Sequence, residues 1–160
     1  MTVTESGRPA NTVCKKHLME HVRIDISEDL DGGAVIHACF DLDAAGIAAS
    51  AHAIAAAVAE RFRSVTMSAD DVLEFRELTA LADELGESGH EGMRTLVLRP
   101  ARLSAYRDAL ARFVETRDEA EWIREEDREP LAIVRPLLAP LEQLCAEAMR
   151  AAISPVPRPY

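Results

Sequence analysis

From Val22 to Leu42, apolar and polar residues alternate at a period of two, interrupted at Asp31-Gly32-Gly33. Side chains along a strand point to opposite faces in turn, so the pattern predicts a β-hairpin. A two-residue Gly32-Gly33 turn would set Ile24 against Asp41 and mix the two faces. A three-residue loop over 31–33, with Gly33 at positive φ, aligns them. That register pairs Ile24 with Phe40, Ile26 with Ala38 and Leu30 with Ala34, and sets Arg23 opposite Asp41, Asp25 opposite Cys39 and Ser27 opposite His37.

Beyond the hairpin the period lengthens to that of a helix. Over 44–62, Ile47, Ala51, Ile54, Val58 and Phe62 share one face. A second face of Ala45, Ala48, Ala49, His52, Ala56 and Ala59 is small enough for another helix to approach closely, and His52 on it reads as a helix-interface histidine. Ser68 with Asp71 opens a helix over 69–85, closed by Gly86, with the stripe Val72, Phe75, Leu78, Leu81 and Leu85. Residues 94–99 form a short apolar run that reads as a third strand. A helix follows with Pro100 in its first turn and the stripe Leu103, Tyr106, Leu110, Phe113 and Val114, weakening near Arg117. Pro136 and Pro140 forbid one straight helix over 130–153, so a short helix, a break and a final helix from about Pro140 to Ile153 are expected.

The order ββααβαα defines an α+β domain: a three-stranded antiparallel sheet, built from the hairpin 22–42 and strand 94–99, covered on its apolar face by four to five helices. The competing arrangement is a mostly helical bundle with a β-hairpin, which holds if 94–99 is the first turn of the helix after it. Residues 1–13 are polar and aperiodic and 154–160 are proline-rich, so both read as tails flanking a single globular domain over 14–153.

Composition narrows the function classes. The 160 residues carry a net charge of −10 and are 48% apolar and 4% aromatic, which argues against direct nucleic-acid binding: phosphates are repelled and no stacking platform is present. Lys15 and Lys16 are the only lysines, so chemistry requiring a lysine in the body of the fold is excluded. The remaining basic residues are arginines, a bias that suggests a bacterial source. The uncharged stretch 44–59 is alanine-rich and falls short of the ~20 strongly apolar residues of a membrane span. Three widely spaced cysteines and an opening without a secretory pattern point to reduced thiols in a cytoplasm.

No single motif fixes a reaction, but three constellations carry candidate chemistry. Cys14, His17 and His21 have C-x2-H-x3-H spacing; on a helix they would share a face, and His37 and Cys39 supply further ligand types suited to zinc. The same stretch is also explained as an amphipathic turn using Leu18 and Val22. On the polar face of the hairpin, Cys39, His37 and Asp25 are the ingredients of an activated thiol, or else Cys39 is a small hydrophobe on a strand. Residues 115–129 hold eight acids and three arginines around Trp122 and Ile123. There Trp122 either closes the core or anchors a partner.

The resulting expectation is a small acidic cytoplasmic accessory module without catalytic activity or cofactor. It would act through a protein partner or self-association at Trp122, Ile123, Ala48 and His52, with no nucleic acid and no membrane involved. The alternatives are a zinc-type metal protein or hydrolase using Cys14, His17, His21, His37 and Cys39, and a thiol enzyme using Cys39. Sequence patterning does not reveal a small-molecule pocket, because packing sets pocket shape.

Overall fold

A computed structural model describes residues 19–61, 67–87 and 92–153; the tails expected at 1–13 and 154–160 lie outside them. The elements are β1 (Glu20–Glu28), β2 (Ala34–Leu42), α1 (Ala44–Arg61), α2 (Ala69–Glu87), β3 (Arg94–Leu98), α3 (Pro100–Glu119), α4 (Glu125–Val134), a 3-10 turn (Arg135–Leu137) and α5 (Leu138–Ile153). The strands form one antiparallel sheet in the order β1-β2-β3. This is the α+β arrangement; residues 94–98 pair with β2 as a strand, so the bundle alternative does not hold.

The hairpin register differs from expectation by two residues. Ile24 faces Ala38, Ile26 faces Ile36 and Glu28 faces Ala34. Asp29 is the cause: its Oδ1 accepts the amides of Asp31 (3.0 Å) and Gly33 (2.7 Å), while its own N–H donates to the Gly33 carbonyl at 2.8 Å. These bonds draw Asp29 and Leu30 into the loop, so Leu30 is fully exposed instead of facing Ala34. The positive φ falls at Gly32 (82°), not at Gly33. A shift of two preserves the parity of the strand, so Ile24 still packs against the core, while Ile26, nearer the hairpin loop, is half exposed. At its other end β1 carries a bulge at His21, whose φ of 52° lies in the left-handed region.

Ala38, Phe40 and Leu42 of β2 and Leu96 and Leu98 of β3 are buried on the inner face. Helices α3 and α5 lie across this face, and α1 also meets β2. Phe40 stacks on Tyr106 (ring centroids 6.1 Å apart), and the Tyr106 hydroxyl lies 2.7 Å from that of Ser50, which satisfies both buried groups. The stripe Leu103, Tyr106, Leu110, Phe113 and Val114 is buried as the periodicity requires.

The helices depart from expectation at two boundaries and along one stripe. The reciprocal bonds of Ser68 and Asp71, both 3.1 Å, open α2, but the helix runs through Gly86 to Glu87. Leu78, Leu81 and Leu85 are buried, whereas Val72 and Phe75 are more than a third exposed, because the first turns of α2 project beyond the core. Helix α4 starts at Glu125 and contains Pro130, with the break in the 3-10 turn at Arg135–Leu137. Glu125, Glu126 and Asp127 occupy its first turn, where the helix dipole favours carboxylates.

Candidate functional site

Two clusters of polar side chains stand out. The first is on the outer face of the sheet, the face that does not carry Phe40 and Leu42. Here Asp25 faces His37 and Arg23 faces Cys39, a consequence of the shifted register. The Cys39 thiol donates to Asp25 Oδ2 at 3.3 Å. Burial pushes this thiol's pKa up, and the hydrogen bond to the Asp25 carboxylate and its charge push it further. An activated nucleophile needs the opposite shift. The His37 ring forms no hydrogen bond with Cys39 or Asp25 among the described residues; it lines a cavity of about 650 Å³ with Leu73, Glu77, Val97, Arg99, Ala101 and Arg102.

His21 belongs to this face as well. It lies in β1, not on a helix with Cys14 and His17, so the shared helical face imagined for C-x2-H-x3-H ends before it. Cys14 and His17 themselves lie outside the described residues. The bulge brings Nδ1 of His21 to 2.8 Å from Asp41 Oδ2, and the Thr95 hydroxyl donates to Asp41 Oδ1. The Thr95 and His21 hydrogen bonds hold the Asp41 carboxyl below the usual carboxylate range. Among the described residues, no three His, Cys, Asp or Glu side chains gather as a metal-ligand set.

The second cluster lies where α1, α3 and α4 meet, and it is built from the interior outward. Asp127 of α4 is 6% exposed. Its Oδ1 lies 2.7 Å from Nε2 of His52 on α1, and its Oδ2 accepts from Nε of Arg117 on α3 at 3.3 Å. Arg117 also grips Glu60 of α1 through both terminal nitrogens, at 3.0 and 2.9 Å. The guanidinium sits 4.2 Å above the centre of the Phe113 ring, and His52 meets that ring edge-on at 5.8 Å. Burial opposes ionisation of Asp127, but the His52 hydrogen bond together with the charge and hydrogen bond of Arg117 outweighs it, and the carboxyl stays below its ordinary range. Three helices are thereby tied at one point.

This tie forms part of the wall of a groove of about 680 Å³, with Ala55, Ala56, Ala59, Trp122 and Ile123 also along it. A second groove of similar volume shares Trp122 and Ile123 and extends over Leu131, Ala132 and Arg135. Trp122 is 71% exposed, so of its two readings the one in which it closes the core does not hold; Ile123 is the residue that turns inward. The reason is local. Helix α3 ends at Glu119, Ala120 and Arg124 are both extended, and the intervening segment leaves Trp122 outside while returning the chain to α4. The alanine face of α1 approaches the protein's own α4, with Ala48 left exposed and His52 committed to Asp127.

Sequence reasoning identified Trp122, Ile123 and His52 but not Glu60, Arg117 or Asp127. A signal was present. Arg117 continues the buried row Leu110-Phe113, Glu60 continues Ala53-Ala57, and Asp127 precedes Leu131 and Val134 at spacings of four and three. A charged residue in register with an apolar stripe marks an inward-facing charge. Compared with protein-family models, curated proteins and solved structures, the chain matches none.

Proposed function

We propose that this protein is a non-catalytic interaction module, acidic and bacterial-cytoplasmic in character, whose docking surface is the Trp122 ridge and the grooves beside it. The observation that carries the reading is the exposure of the chain's single tryptophan, 71%, between two grooves of about 680 Å³ each. An exposed tryptophan flanked by apolar surface is what an interface anchor looks like before it is covered. The His52–Asp127–Arg117–Glu60 tie supports the reading in a second way: it fixes the groove walls in place, so a partner meets a formed surface with little ordering left to do.

The polar clusters support binding over catalysis. The thiol of Cys39 is held protonated, and the imidazole of His52 is spent on a helix contact. The test is affinity purification from source cells with the wild-type protein and Trp122→Ala side by side. The reading expects a stoichiometric partner retained by the wild type and lost by the variant. Retention of the same partner by both proteins, or of none by either, would overturn it.

A further inference from the structure

We infer that the occupant of the Trp122 grooves is a basic amphipathic helix of a different protein, an inference that rests on the docking reading above. Charge is the first argument. Residues 115–129 hold eight acids and three arginines. Each arginine in or beside the grooves is already matched: Arg117 by Glu60 and Asp127, Arg124 by Glu126, Arg128 by Glu125, and Arg135 by Asp118. Among the described residues, Glu121, which lines both grooves, has no cationic partner, and neither do the exposed Glu115, Glu119 and Glu129. Among the described residues, the uncompensated charge at this surface is therefore negative.

That imbalance selects among occupants. A second copy of the chain would bring the same unmatched carboxylates against these and be repelled, and so would a nucleic acid or an anionic lipid surface. A partner bearing lysines and arginines supplies the missing counter-charges. The backbone of the partner is selected by the lining. Among the described residues the groove walls come from α1, α3, α4, the 120–124 segment and the 3-10 turn, so they offer no open strand edge to pair with an extended peptide. Among the described residues Trp122 is the only Trp, Tyr or Phe along either groove, whereas polyproline segments dock between several such rings. A helix satisfies its own backbone and can lay bulky apolar residues onto Ala55, Ala56 and Ala59 beside Trp122.

The experiment titrates the full chain into three fluorescently labelled synthetic peptides and follows anisotropy. Two are helices with identical leucine positions, one carrying lysine and the other glutamate on the polar face; the third is a lysine-proline peptide. The leucine-lysine helix should bind about tenfold more tightly than either of the others at low salt, and lose that advantage as salt rises. Trp122→Ala should weaken it by about tenfold. Glu121→Lys should weaken it by about fivefold, and circular dichroism should show both variants folded, since both side chains are exposed. Equal affinity for the lysine and glutamate helices, tighter binding of the lysine-proline peptide, or indifference to Trp122→Ala would each overturn the inference. A Trp122-dependent partner in the purification combined with any of those results sinks the basic helix and leaves the docking surface standing; absence of such a partner sinks the docking surface itself.

Discussion

The outer sheet face and the α1–α3–α4 junction use the same residue types for different ends. Each pairs a histidine with an aspartate, His21 with Asp41 at 2.8 Å and His52 with Asp127 at 2.7 Å, and each has an arginine nearby. On the sheet the His21 side chain is 71% exposed, and solvent competes for the contact. At the junction Asp127 is buried and each of its carboxylate oxygens is bonded to a different helix, so the same chemistry becomes a fastening between helices. The difference teaches that burial, not residue identity, decides which histidine-aspartate contact holds the fold. It also explains why a firm groove lies over the junction.

The largest effect should come from removing the junction's acceptor. Asp127→Ala leaves His52 unpartnered and Arg117 with Glu60 alone, and should cost about 3 kcal/mol of stability in denaturant unfolding. Asp41→Ala, which removes the sheet's counterpart contact to His21, should produce a small fraction of that change. Equal losses at the two sites would erase the contrast between them.

The thiols give the next largest effect. Because burial and Asp25 raise the Cys39 pKa, its alkylation in the native protein at neutral pH, read site by site by mass spectrometry, should be at least about tenfold slower than in the denatured chain. Rapid native alkylation of Cys39 would return the sheet face to consideration as a reactive site.

Acid sensitivity sharpens the contrast further. The folded-state pKa of Asp127 lies below its unfolded value of about 3.9, so its contribution is complete above that pH and is lost as pH falls through the folded value. Wild-type stability should therefore fall more steeply below about pH 4 than that of Asp127→Asn. Parallel pH profiles would show that Asp127 is not the group responsible. The smallest effect belongs to Trp122→Ala, expected to change stability by less than about 0.5 kcal/mol because the side chain closes no core.

Much of the architecture was legible in the chain. Alternation placed the hairpin and the inward face of β2, and the Leu103-to-Val114 stripe located α3, because burial there follows residue type directly. The register was not legible. It depends on Asp29 bonding the loop amides, a side-chain choice that the alternation does not encode. The candidate site divides in the same way. Trp122 stood out as the single tryptophan in an acidic run, but whether it or Ile123 turns inward depends on the extended backbone at Ala120 and Arg124. Asp127 was hidden among seven other acids of its run, and its register with Leu131 and Val134 becomes visible once the start of α4 is known.

Trp122 stands exposed beside carboxylates that, among the described residues, have no cationic partner. Since it is the chain's only tryptophan, collisional quenching of intrinsic fluorescence reports on that site alone. At low ionic strength, relative to a free indole standard, caesium cations should quench Trp122 efficiently and iodide poorly, with the difference fading as salt screens the field. Weak quenching by both ions, or quenching by iodide in excess of caesium, would contradict the account.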